Sequence, residues 1–262
     1  MNLDLHNKTV AITGSSKGIG FAIAKCFAQE GANVLINGRD SEALERACER
    51  IVKEVGHRPA CITANLATSE GVDTFVRAAG HVDILVNNAG AIPSGDIEAV
   101  DEQTWRHAWD LKVFGYINIT RQILPRMQQR GSGVIVNIIG IAGQAPRADY
   151  ICGTTGNAAL IAFTKALGGA APAHGVRVYG INPSPTQSDR IESLMRQQAK
   201  RQFNDENRWF ELTKKLAFGR LAKPEEVAEL AVFTASPRCG YLSGTVIDVD
   251  GGMTVRDTKS SH

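Results

Sequence analysis

What this chain has little of narrows its function before any motif is read. No apolar run approaches the ~18 residues that a membrane span needs, so a helical membrane protein is excluded. The opening residues, Met1-Asn2-Leu3-Asp4-Leu5-His6-Asn7-Lys8, hold no apolar stretch of the signal-peptide kind. Neither sign of charge dominates: 29 Lys and Arg stand against 27 Asp and Glu. A net charge of +2 without a basic stripe argues against nucleic acid as a partner. Cysteine is sparse and scattered (Cys26, Cys48, Cys61, Cys152, Cys239), odd in number and without a CxxC pair. That pattern reads as reduced structural thiols in a cytoplasmic protein. The histidines, His6, His57, His81, His107, His174 and His262, form no metal-spaced pair, so no metal site is expected.

What is present suits an ordered core. Hydrophobic residues make up 43% of the 262, and α/β chains of this length are commonly one domain. Thr9–Thr13, Asn33–Asn37, Ala60–Thr63, Val82–Val86, Val134–Ile138, Val176–Ile181 and Thr245–Val249 read as strands. Phe21–Glu30 reads as a helix ended by Gly31, and Ser41 as the cap of a helix reaching about Val55. Strands rich in Val and Ile, separated by helices, predict a Rossmann-type doubly wound α/β sheet of about seven parallel strands with helices on both faces. The domain spans 1–262, and the polar tail 255–262 reads as loose.

Thr13-Gly14-Ser15-Ser16-Lys17-Gly18-Ile19-Gly20 lies between the first strand and the first helix. Its glycines allow a sharp turn and a close approach to a pyrophosphate, and the helix N-terminus supplies free N–H groups. Other signatures follow in order: Asn87-Asn88-Ala89-Gly90, Asn182-Pro183-Ser184-Pro185, Lys223-Pro224-Glu225-Glu226-Val227-Ala228 and Asp248-Val249-Asp250-Gly251-Gly252. Together they resemble the short-chain dehydrogenases/reductases along nearly the whole chain. The resemblance implies a nicotinamide cofactor, a small-molecule substrate and a homotetramer, or at least a dimer. It further implies cofactor contacts from Gly14, Ser16, Lys17, Gly18, Ile19 and Gly20. Asn65 and Leu66 would flank the adenine, Asn88, Ala89 and Gly90 the ribose, and Pro183 and Ser188 the nicotinamide. Residues 189–218 would form a helical insertion over the substrate.

The choice of cofactor is read at Ile36-Asn37-Gly38-Arg39-Asp40. An NAD enzyme places an acid at the end of this strand for the ribose 2′-OH. Here Gly38 stands in that place and Arg39 follows, a planar cation suited to a 2′-phosphate. NADP(H) is therefore favoured over NAD(H), with Lys17 a second cation for the phosphate and Asp40 a rival partner for Arg39.

The family's proton chemistry uses serine, tyrosine, lysine and asparagine, the phenol being lowered from a pKa near ~10 by neighbouring charge. The expected Tyr-x-x-x-Lys is broken: Tyr150-Ile151-Cys152-Gly153-Thr154 has no lysine. Two registers are open. The gapless one keeps every flanking landmark and sets Gly140 for serine, Gly153 for tyrosine, Asn157 for lysine and Lys112 for asparagine. The other takes Tyr150 as the tyrosine, at the cost of a deletion and a compensating insertion. Even in the gapless register Tyr150 shares a helical face with Gly153, whose missing side chain leaves room for a phenol. Lys112 and Asn157 read as an exchange of lysine and asparagine that would keep one cation if their tips meet. Tyr150, Lys112 and Asn157 are thus the candidate catalytic residues. An NADP(H)-dependent oxidoreductase with an altered proton-transfer site is expected, with a non-catalytic cofactor-binding protein as the alternative.

Overall fold

Strand and helix alternate from the first residues onward. The computed structural model describes residues 1–255. Its strands are β1 (Thr9–Ile12), β2 (Asn33–Gly38), β3 (Ala60–Thr63), β4 (Ile84–Asn87), β5 (Gly133–Ile138), β6 (Val176–Pro183) and β7 (Val246–Val249). Its helices are α1 (Gly18–Gln29), α2 (Ser41–Val55), α3 (Ser69–Ala79), α4 (Glu102–Trp109), α5 (Gly115–Gln129), α6 (Ile151–Ala170), α7 (Asp189–Phe203), α8 (Trp209–Thr213) and α9 (Pro224–Ala235). The strands form one sheet in the order β3-β2-β1-β4-β5-β6-β7, and every pairing is parallel.

Both faces of the sheet are covered, which is why its central strands read as unbroken apolar runs. Ile12, Ile36, Val86 and Val136 join a core made with α1, α2 and α9. Ala11, Leu85 and Ile135 point the other way, into a core with α3 and α5. The strand order reverses between β1 and β4, so the crevice beyond their carboxyl ends is where such sheets hold ligands. α4 runs into α5 through a π turn, Asp110–Phe114, an irregularity that often marks a functional position.

Several local expectations are corrected. Asp40, rather than Ser41, caps α2: its carboxylate accepts the N–H of Glu42 and Ala43 at 3.0 and 3.1 Å. α1 begins at Gly18, inside the glycine turn, ahead of the expected Phe21. Cys48 on α2 and Cys61 on β3 face each other with Cα atoms 7.5 Å apart, wider than a disulfide normally spans, while Cys26, Cys152 and Cys239 are free. Of the expected loose tail, Val255 closes a short 3₁₀ turn (Met253–Val255), and 256–262 lie outside the described residues. Among the described residues no helix is long and apolar enough to cross a membrane.

Candidate active site

The glycine turn is clamped to the segment that follows β4. Thr13 Oγ1 accepts the N–H of Asn88 and of Ala89 at 2.8 and 3.0 Å. Asn88 Nδ2 donates back to the carbonyls of Thr13 and Gly14 at 3.1 and 2.8 Å. A Cβ on Gly20 would stand 2.5 Å from Asn88 Nδ2, and one on Gly14, at φ +60°, would stand 2.7 Å from Ala89 Cα. Only glycine permits this approach. The outer side of the turn is open, since a Cβ on Gly18 would meet nothing within 4 Å. α1 has no side-chain cap and no acid in its first turn. Its leading N–H groups and positive dipole end are left for an anion, so the residues present fit a pyrophosphate.

The neighbouring strand end suits the rest of a nucleotide. Asn37 is buried and ties the turn to β3: its Oδ1 accepts from Gly14 N–H at 3.3 Å, and its Nδ2 donates to the carbonyls of Ile62 and Ala64. Arg39 and Lys17 are exposed. Asp40 Oδ1 accepts both N–H groups of the α2 cap. Asn65 and Leu66 follow β3; Leu66 is buried, and Asn65 is exposed with Oδ1 accepting from Ala67 N–H. Pro183 ends β6, while the Ser188 hydroxyl already caps α7 by accepting from Ile191 N–H.

Lys112, Tyr116, Gly140 and Asn157 gather at the carboxyl end of β5. Lys112 lies in the π turn, and its Nζ donates to the carbonyls of Ile138 and Ile139, both at 3.0 Å. Its stem fills the space above Gly90, where a Cβ would come within 2.6 Å of Lys112 Cδ. Burial pulls the ammonium down to about 8. Tyr116, one turn further on, donates its hydroxyl to the same Ile138 carbonyl at 2.8 Å, and burial raises its phenol well above the ordinary value. Asn157 on α6 is 3% exposed, with Nδ2 beside Gly140. Lys112 and Asn157 thus border the same strand end without pairing, since Asn157 Oδ1 has no hydrogen-bond partner. Tyr150 stands just ahead of α6, its ring packed against the small cluster of Ile92, Val100, Ala108 and Cys152. A Cβ on Gly153 would fall 2.1 Å from Tyr150 Cε1 and Cζ. The phenol therefore lies where the base of a side chain at 153 would begin, and its hydroxyl ends well short of where a tyrosine at 153 would place its own.

A sequence profile of the short chain dehydrogenase family matches residues 8–199. The chain belongs to that family. The 3-oxoacyl-[acyl-carrier-protein] reductase FabG of Chlamydia trachomatis serovar D is 32% identical, covering 95% of this chain and 98% of that protein. Oxidoreductase UcpA of Escherichia coli K12 is 33% identical, covering 98% of each chain. Among solved structures, L-sorbose reductase from Gluconobacter frateurii, complexed with NADPH and L-sorbose, aligns with a TM-score of 0.91 at 32% identity, over 98% of this chain and 100% of that one. The chain is accordingly an oxidoreductase of the short-chain dehydrogenase type, with the family's seven-stranded fold.

Some residues of this short-chain dehydrogenase site carried no signal that a motif reading would use. Asn37 looked like an ordinary strand residue, and Tyr116 like core. Asn182 lay within a quoted motif, but its work is tertiary: Oδ1 accepts from Gly140 N–H at 3.2 Å, and Nδ2 donates to Asp248 at 2.9 Å. A polar residue in an apolar strand was the available hint for Asn37 and Asn182. For Tyr116 it was the four-residue spacing from Lys112.

Proposed function

We propose that this chain is an NADP(H)-dependent short-chain dehydrogenase/reductase that interconverts a carbonyl and an alcohol, with Lys112 as the group that carries the proton. The reading rests chiefly on the placement of Lys112, a buried ammonium at the mouth of the sheet, hydrogen-bonded to two carbonyls and lowered to about 8. A group titrating there gives and takes protons near neutrality. Gly38 and Arg39 support NADP(H). The solved relatives include L-sorbose reductase with NADPH and a 3-ketoacyl-(acyl-carrier-protein) reductase from Brucella melitensis with NADH, so the preference comes from this chain's own residues.

When bound, the nicotinamide supplies or takes the hydride. The chain does the rest. The uncapped N-terminus of α1 holds the pyrophosphate, and Arg39 with Lys17 meets the 2′-phosphate. Lys112 donates a proton to the substrate oxygen in reduction and accepts one in oxidation. Tyr150 walls the site and is the second candidate for that role.

Lys112→Met should lower kcat/KM for carbonyl reduction by about 10²–10⁴-fold and leave NADPH affinity unchanged by calorimetry. In the wild type, reduction needs the ammonium, so its rate should be level at lower pH and fall as pH rises through about 8; oxidation should rise over the same interval. Undiminished reduction by Lys112→Met sinks the assignment. NADPH binding without turnover on a broad carbonyl and alcohol panel leaves the non-catalytic reading.

A further inference from the structure

Asn157 is a buried carboxamide that the protein itself does not satisfy. Its Oδ1 is sealed from solvent with no hydrogen-bond partner. A buried polar group left without a partner is costly, and such groups in native folds call for an explanation. The other end of the same amide faces Gly140. A Cβ there would stand 2.9 Å from Asn157 Nδ2, so the amide nitrogen faces the space that a side chain at 140 would occupy.

That space is built into the backbone. Gly140 holds φ +143° and ψ +142°, which L side chains rarely adopt. Its N–H is anchored on Asn182, and Asn182 on Asp248. The gap lies just past the carboxyl end of β5, on the side of the sheet where open α/β folds bind ligands. Lys112 reaches the carbonyl of Ile139, the residue before Gly140, from the π turn.

Taking the chain as a carbonyl/alcohol oxidoreductase, we propose that Asn157 is the residue that holds the reacting oxygen: its Nδ2–H donates to a carbonyl or alcohol oxygen lodged over Gly140. The role needs a donor that does not titrate, and a primary amide is one. No bond to Asn157 forms or breaks. As the oxygen gains negative charge the N–H···O bond strengthens, which stabilises the transition state more than the ground state. Holding the oxygen and moving the proton are then divided between a neutral donor and a titrating one.

The test separates oxygen binding from turnover. The probe is isobutyramide, whose carbonyl oxygen accepts a hydrogen bond and is not readily reduced. It is titrated by calorimetry into the protein saturated with whichever nicotinamide cofactor binds. Asn157→Asp keeps the shape and replaces the donor with an acceptor; Asn157→Leu removes both polar atoms. Wild type should bind saturably, and both variants should lose about tenfold or more in affinity, with cofactor affinity within about twofold of wild type as the check on folding. Equal isobutyramide affinity in wild type and variants overturns the proposal, as does no binding to wild type. A parallel loss of cofactor affinity also overturns it, because Asn157 would then serve the cofactor. A wild type that discriminates isobutyramide in this way but turns over no carbonyl refutes the enzymatic reading and leaves Asn157 as an oxygen-binding residue.

Discussion

At the scale of single residues, the unusual feature of this site is that bulky side chains lie directly over glycines. Gly153 is bare because Tyr150 lies across it, and Gly90 is bare because the Lys112 stem runs over it. Each pair is a steric unit, so reverting one member alone should fail. Gly153→Tyr should destabilise the fold by at least about 2 kcal/mol, since its Cβ overlaps a ring that is already packed. Tyr150→Ala combined with Gly153→Tyr should be more stable than Gly153→Tyr alone, a coupling that a double-mutant cycle by urea denaturation would read. Additive effects would mean that the two side chains do not share that space. A second prediction concerns Arg39. Arg39→Ala should weaken NADPH about tenfold and leave NADH within about twofold, because a charge-assisted contact to the 2′-phosphate is what the two cofactors do not share. Equal wild-type calorimetric affinities for NADPH and NADH would refute the preference.

At the scale of elements, the π turn between α4 and α5 is what carries Lys112 inward. Holding an ammonium there has a cost that pH should reveal. In the unfolded chain the group titrates near its ordinary 10.5, and in the folded chain at about 8. Between those values the unfolded state binds more protons, so this group makes stability rise with pH from about 8 towards 10.5. The gap corresponds to up to about 3 kcal/mol. Wild type should therefore gain stability over Lys112→Met as pH increases through that window, measured as the difference between their urea midpoints. A constant difference from pH 8 to 10 would place the ammonium in a better-solvated position than the geometry gives it. The α1 terminus shows the opposite economy. Its N–H groups are left uncapped, while those of α2 and α3 are met by Asp40 and Thr68.

At the scale of the whole molecule, the sheet buries its strands on both faces yet leaves large apolar side chains outside. Phe114 and Ile97 are exposed around α4 and α5, and Phe233 and Tyr241 around α9. Scattered exposed apolar residues are common, but these flank long helices. They support the expectation, drawn from family resemblance, that copies associate. Light scattering at micromolar concentration should give a multiple of 28.2 kDa, four copies being expected and two the minimum. A monomer mass would defeat the expectation.

The fold and the glycine turn were legible in the sequence because both rest on local rules. Alternating Val- and Ile-rich runs with helical stretches leaves few architectures that bury both faces, and a glycine turn between strand and helix is short-range geometry. At Gly140, Gly153, Asn157 and Lys112 the sequence offers only the expectation of a broken pattern, not where these residues sit. Its resolution needed contacts between residues far apart in the chain. Ile138 and Ile139 receive Lys112 across 26 and 27 positions, and Gly140 meets the Asn157 amide across a turn and a helix start. Asn182 anchors Gly140 across 42 positions. Such contacts depend on strand order and on which helix crosses which strand end, and no periodicity in a single segment encodes them.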